Sequence, residues 1–393
     1  MTPAARVQAA IELLDAILAA ARDSGPPADR LIAEGFRQRR YAGSKDRRAI
    51  RELVYGAVRA CGPMPGSGRA AMLRLAELDP AMAPLFDGSA YGPAAIADGE
   101  RPARGGIAPE WLVAALEKSG VGGAEANALL SRAPLDVRVN RLKARRDGIE
   151  LPVAGEALAV PDGLRFPFGT NVEQWDAWRE GRIEVQDLGS QVACLAVEAK
   201  PGETVIDLCA GGGGKTLALA AAMDNRGALI ASDTDRQRLS QLAPRAERAG
   251  AMVTDTVLLN PGKEMEGLAA WAGEADAVLV DAPCSGTGTW RRNPEGRWRL
   301  TEEQLARYAA MQARLLDIAA QLVKPGGRIT YVTCSLLDAE GAGQVEAFLS
   351  RHPGWQSALP HLPLGRPRGQ GIRLTPSHDG TDGFFVACLR SIC

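Results

Sequence analysis

The sequence contains no long apolar run. Nothing in it approaches the ~18 apolar residues that a membrane-spanning helix needs, and the nearest candidate, Leu217 to Met223, stops at Asp224. The apolar stretch Val7 to Ala21 is interrupted by Glu12 and Asp15. With Val7, Ile11, Leu14, Leu18 and Ala21 at helical spacing, it predicts an amphipathic core helix and not a signal peptide. Histidine is scarce (3), and the seven cysteines, at 61, 194, 209, 284, 334, 388 and 393, form no Cys-x-x-Cys. That removes the common zinc spacings, so no metal is expected, and an odd, scattered set of thiols fits a reducing compartment better than a disulfide scaffold. Net charge is also missing: 46 basic against 47 acidic residues leave −1. A uniformly basic nucleic-acid coat is excluded, and any polyanion must be met by local patches. The expectation is a soluble, cytoplasmic monomer.

Turns, by contrast, are plentiful, with 44 glycines and 25 prolines, and the chain separates into three textures. Residues 1–128 read as helical: Ala49, Ile50, Leu53, Val54, Ala57 and Val58 form one stripe, and short helices are expected over Arg69–Glu77 and Pro109–Lys118. Breaks fall at Cys61–Gly68, whose tip is expected to be loose, and at Gly99–Gly106. Residues 129–180 suggest a small α+β module with strands at 136–140, 158–160 and 164–168. From 181 to 393 strands alternate with helices. Strands are expected at 204–208, 228–232, 277–280, 328–333 and 384–389, and helices at 216–223, 236–249 and after the capping box Thr301-x-x-Gln304. Such alternation predicts a doubly wound, mostly parallel sheet, whose ligands bind beyond the carboxyl ends of its strands.

The segment Asp207-Leu-Cys-Ala-Gly-Gly-Gly-Gly-Lys-Thr216 joins a strand to a helix through four glycines. A phosphate loop would need glycine where Cys209 stands, and a dinucleotide fingerprint would need a third glycine at Thr216. An adenosine cofactor without phosphate, S-adenosyl-L-methionine, fits better. It asks for close backbone approach over Cys209, Ala210, Gly211, Gly212, Gly213, Gly214 and Lys215, and for an acid at the end of the next strand to hold the ribose hydroxyls. Asp233 ends that strand, 22 positions after Gly211, near the ~20 expected for a ribose-binding acid.

Two further strand ends carry thiols: Asp281-Ala-Pro-Cys-Ser-Gly286 and Thr333-Cys-Ser335. Burial accounts for Cys61, Cys194 and Cys388. Cys284 and Cys334 leave apolar strands where ligands bind, and a thiol beside a methyl donor has a chemical reason. Addition of a thiolate at C6 of cytosine makes C5 nucleophilic enough to accept a methyl group.

The glycine-loop, Asp281-to-Gly286 and Thr333-to-Ser335 motifs resemble the RsmB/Nop/Sun family of RNA 5-methylcytosine methyltransferases, from about Ile183 to the C-terminus. Arg291-Arg-Asn-Pro-Glu-Gly-Arg-Trp298 and Asp382-Gly-Phe-Phe385 resemble family segments as well. Arg47 to Arg59 is similar to the NusB-like RNA-binding domain of the ribosomal RNA members, and Arg138-Val-Asn140 to the start of their linker module. The resemblance implies a Rossmann-like class I methyltransferase domain behind a helical domain and a small linker. It makes Cys334 the nucleophile and Cys284 the thiol that assists release. Asp281 would contact cytosine and cofactor, and Lys215 would reach the same site. The family usually has Ala-Pro where this chain has Gly211-Gly212 or its neighbour. It also places an acid facing the adenine at the end of the following strand, where Asn260 or Asp255 falls. The implied activity is cytosine-C5 methylation of RNA, most simply ribosomal RNA. Transfer RNA is an alternative substrate, and a catalytically idle assembly factor is the other class of reading.

Basic residues concentrate locally. Arg47, Arg48 and Arg51 lie in one cluster; Arg291, Arg292 and Arg297, with Trp298, lie in another directly after Cys284. Both are expected to contact RNA, the first through phosphates and the second with base stacking. Reaching C5 and C6 requires an unstacked cytosine.

Overall fold

The computed structural model describes residues 1–23 and 25–392, so Cys393 lies outside the described residues. The chain divides into two compact units, one made of residues 1–131 and 289–301, the other of residues 132–288 and 302–393.

The first unit is helical. Thr2 caps the helix Pro3–Arg22, its hydroxyl accepting from Ala5 N at 3.2 Å with Pro3 at the first helical position. Val7, Ile11, Leu14, Leu18 and Ala21 all point inward, as their spacing predicts. Val7, Ile11, Leu14 and Leu18 pack with Ile32 and Phe36 of the helix Ala28–Gln38, with Ile50, Val54, Ala57 and Val58 of Ser44–Ala60, and with Met72 of Gly68–Leu78. The helix Glu110–Lys118 follows.

The segment 289–301 is built into this unit, which corrects the expectation that it meets RNA. Trp298 belongs to the helical core, and its ring N–H donates to Gly62 O at 3.0 Å. Arg297 is fully buried and donates to Val58 O at 2.6 Å and Cys61 O at 2.7 Å, carbonyls at the end of the helix Ser44–Ala60. A guanidinium suits a helix C-terminus, where carbonyls lack partners and the dipole is negative. Burial lowers its pKa from the usual arginine value to about 10. Trp290 and Arg291 are buried too, and Arg292 is half-buried. These bonds also tie down the start of the Cys61–Gly68 break, where Cys61 and Gly62 are buried, while Gly66 at its tip is exposed. Arg47, Arg48 and Arg51 are exposed; Arg47 and Arg51 each lie 5.9 Å from the Phe36 ring centre.

The second unit holds two sheets. Strands β1 (Leu135–Val139), β2 (Glu156–Ala157), β3 (Gly163–Phe166) and β4 (Ile183–Val185) form an antiparallel sheet ordered β2-β3-β1-β4. Val137 pairs with Val185, so the small sheet extends past residue 180, and the stretch 158–160 is not a strand. Its tie to the larger sheet runs through Asn140, whose amide donates to Gly181 O (2.8 Å) and Ala249 O (2.7 Å).

The larger sheet contains β5 (Thr204–Asp207), β6 (Ala228–Asp233), β7 (Asp255–Leu258), β8 (Ala275–Asp281), β9 (Val323–Thr333), β10 (Trp355–Ala358), β11 (Arg366–Arg368), β12 (Gly371–Leu374) and β13 (Phe384–Ser391). Its order is β11-β12-β13-β9-β8-β5-β6-β7, with β10 on β13. Strands β5 to β9 are parallel and β13 is antiparallel to β9. This is the doubly wound, mixed sheet of a Rossmann-like fold. Side chains alternate across it. Ile206, Val278 and Val280 meet Leu316 and Ala319 of the helix Glu302–Leu322, and Val205, Ala277 and Leu279 meet Val192 and Leu219 on the opposite face. The expected helix over 236–249 is two, Arg236–Leu239 and Leu242–Ala249.

The strand order reverses at β5, with β6 on one side and β8 on the other. A crevice opens at such a switch point, beyond the carboxyl ends of the strands. Asp207, Asp233, Asp281 and Cys334 all stand there.

Candidate active site

A cavity of about 490 Å³ lies at that edge, lined by Leu208 and Cys209 after β5, by Asp233 after β6, by Leu259 and Pro261 after β7, and by Asp281, Cys284 and Cys334. The loop that follows β5 turns through Gly211 (φ 53°) and Gly213 (φ 84°) into the helix Gly214–Ala222. A Cβ on Gly213 would stand 2.2 Å from Leu242 Cδ1, so both the backbone angle and the space require glycine there. The loop is held from two sides. Arg245 Nη1 donates to Gly212 O at 2.6 Å, and Gly211 N donates to Asp233 Oδ2 at 2.7 Å. The other Asp233 oxygen accepts from Asp235 N at 2.7 Å. Asp233 thus shapes the loop as well as lining the cavity.

The two residues expected on the adenine side lie at the start of β7 and just beyond its end. Asp255 is exposed at the start of β7, its carboxylate turned onto Thr256 N (2.8 Å), and Asn260 is exposed between two residues that do line the cavity. Beyond the end of β7 the wall is Leu259 and Pro261, backed by the buried Glu264. Glu264, Tyr308, Met311, Arg314 and Arg238 also line the cavity and were not singled out in the sequence.

At the other end the strand pair β8–β9 decides the geometry. Asp281 pairs with Val332 in parallel register, so the turns that follow the two strands emerge side by side. Cys284 Sγ and Cys334 Sγ stand 3.3 Å apart. The hydrogen bond with Cys334, burial and the nearby Glu340 together push the Cys284 thiol well above the usual cysteine range. Either sulfur can donate in this contact. Cys209 is a neutral thiol: burial, with Asp207, Asp281 and Asp233 around it, drives its pKa far up. Cys61, Cys194 and Cys388 are buried, and burial raises each to about 11, as befits core residues.

Lys215 donates to Asp281 Oδ2 at 2.7 Å, with Phe384 5.8 Å away. Burial opposes its charge, but Asp281 outweighs burial and keeps the ammonium protonated above its ordinary range. Lys215 meets the site through Asp281, the member of the pair that lines the cavity. Beneath them Asp207 is fully buried, bonded to Thr216 Oγ1 at 2.7 Å, and burial raises its carboxyl to about 7. Among the described residues no cluster of histidine, cysteine or acid residues could hold a metal, and no helix is long and apolar enough to cross a membrane.

A mixed sheet reversing at a glycine loop, a strand-end acid beside that loop and a cavity open to two thiols define a class I methyltransferase that uses S-adenosylmethionine. Residues 194–390 match the model of the 16S rRNA methyltransferase RsmB/F family. The chain belongs to that family. It is 31% identical to the ribosomal RNA small subunit methyltransferase B of Sodalis glossinidius over 92% of this chain and 81% of that protein. With the probable ribosomal RNA small subunit methyltransferase B of Synechocystis the identity is 35%, over 72% of this chain and 66% of that protein. The crystal structure of PH0851 superimposes with a TM-score of 0.77 over 99% of both chains, at 26% identity.

Proposed function

We propose that the chain methylates C5 of an unstacked cytosine in ribosomal RNA, with Cys334 as the covalent nucleophile. The observation that supports this reading is the approach of Cys334 to Cys284, 3.3 Å apart beside Asp281 at one cavity. C5 of cytosine does not attack a methyl group unaided; addition of the Cys334 sulfur to C6 makes it enamine-like. Asp281, steadied by Lys215, would bond N3 and the exocyclic amine and stabilise the adduct. Bound S-adenosylmethionine supplies the electrophilic methyl group. Leu208, Cys209, Asp233, Leu259 and Pro261 would hold it. Cys284 assists the release step, in which C5 loses its proton to solvent and the C6–sulfur bond breaks to free Cys334. The exposed Arg47, Arg48 and Arg51 would follow RNA phosphates.

Bisulfite sequencing of total RNA with and without the protein identifies the methylated RNA. Methylation confined to transfer RNA moves the substrate, and RNA binding with no methylation at all leaves an assembly factor. A denaturing gel with labelled RNA tests the mechanism. Cys284→Ala is expected to accumulate a covalent protein–RNA band after cofactor is added, and Cys334→Ala to form none. The opposite pattern would exchange the two roles.

A further inference from the structure

We propose that Glu340 is a positioning residue that acts through Cys284: with Gln312 it clasps the turn Pro283–Ser285 and holds the Cys284 sulfur beside Cys334. The inference rests on the reading of the two cysteines given above.

Glu340 is fully buried, in the turn that follows β9. One carboxylate oxygen accepts from Ser285 N at 2.8 Å and from Gln312 Nε2 at 3.1 Å, and the other accepts from the Ser285 hydroxyl. Gln312, fully buried in the helix Glu302–Leu322, donates from the same nitrogen to Pro283 O at 2.9 Å. The residues on both sides of Cys284 are therefore gripped, and the grip comes from elements other than β8. The backbone of Glu340 is tied to β9 in turn, since its carbonyl accepts from Tyr331 Oη (2.8 Å) and Thr333 Oγ1 (3.3 Å). The clasp joins the strand that carries Cys334 to the turn that carries Cys284.

Only a carboxylate suits this place. Its two oxygens accept three hydrogen bonds at once and donate none, whereas a glutamine would set one N–H₂ against existing donors. The donors are a backbone amide, a side-chain amide and a hydroxyl, all neutral. Its negative field falls on the adjacent thiol and helps keep the proton on Cys284. The surrounding loop does not depend on it. Thr287 Oγ1 accepts from Leu336 N (2.9 Å), Ser335 Oγ accepts from Leu337 N (3.1 Å), and Gly288 N donates to Cys334 O (3.0 Å). Removing the carboxylate should free the Cys284 turn and leave the sheet folded.

The test uses the full-length chain with Glu340→Gln and Glu340→Ala, alone and combined with Cys284→Ala. Three quantities are read: cofactor affinity, formation of the covalent RNA band, and its decay. In Glu340→Ala, decay is expected to slow about tenfold or more with band formation and cofactor affinity nearly unchanged, and Glu340→Gln should fall between this variant and the wild type. In the Cys284→Ala background, adding Glu340→Ala should leave decay where it was, as two residues acting through one step require. An equal slowing in that background would overturn the proposal, and so would a joint fall in cofactor affinity and band formation. Alkylation of Cys284 by iodoacetamide, followed by peptide mass, reads the clasp without RNA. The Glu340 variants should react several-fold faster at that thiol than the wild type. Faster alkylation with no covalent RNA band in Cys284→Ala would leave the clasp standing and reject the covalent mechanism. Unchanged alkylation would reject the clasp.

Discussion

Buried at the end of β5, the Asp207 carboxyl links the stability of the methyltransferase unit to pH. Burial raises its pKa from 3.8 to about 7, with Asp281 and Asp233 adding to the rise and Thr216 and Lys215 opposing it. The folded chain therefore keeps a proton that the unfolded chain releases above pH ~4. Its contribution to stability falls as pH rises from about 4 to about 7 and is level beyond. Asp207→Asn preserves the shape and cannot ionise. It is expected to exceed the wild type in stability above pH 7 by up to about 4 kcal/mol, a gap that closes toward pH 4. Denaturant unfolding across that range measures it, and a constant gap would mean that Asp207 is ionised throughout. Asp233 works differently, because its carboxylate both lines the cavity and fastens Gly211 N. Asp233→Ala should weaken cofactor binding by roughly 1–3 kcal/mol, the scale for a buried polar group left without its partner. Calorimetric titration reads this directly, and unchanged affinity would remove Asp233 from the cofactor site.

Among the elements, the segment 289–301 departs furthest from its appearance in the sequence. Arginine and tryptophan side by side after a reactive cysteine look like an RNA-stacking surface. In the structure Arg297 and Trp298 spend their hydrogen bonds on Val58 O, Cys61 O and Gly62 O. Trp298→Ala is accordingly a core deletion, expected to cost the helical unit about 3–5 kcal/mol. Thermal unfolding should show a lowered transition, with RNA affinity intact below it. Loss of RNA binding at unchanged stability would restore the stacking role. The pairing of β8 with β9 is the other decisive element, since it turns two distant motifs into one site.

For the whole molecule the charge balance leaves little room for a general attraction to RNA. With a net charge of −1, affinity must come from local patches, and Arg47, Arg48 and Arg51 remain exposed while Arg291 and Arg297 are buried. Reversing the charge of the exposed three should weaken RNA binding most at low salt and leave cofactor affinity alone. Filter binding across a salt series tests it. Equal affinity at every salt concentration would mark the cluster as a solvated face.

The amphipathic period of the helix Pro3–Arg22, the alternation of strands and helices after residue 181, the glycine loop and the strand-end position of Asp233, Cys284 and Cys334 were all legible in the sequence. Each depends on neighbours a few residues apart, and local spacing carries that information. The short strands β10 and β11, partly exposed, and the four-residue β12, buried between β11 and β13, carried too weak a pattern. Glu340 left no trace. What it binds lies 55 and 28 residues away in the chain. Only the tertiary structure decides such matters: which strand ends are neighbours, which arginines find carbonyls, and which buried acid bonds the turn that carries Cys284. Burial and hydrogen-bond partners are assigned when distant segments meet, and no local pattern encodes that meeting.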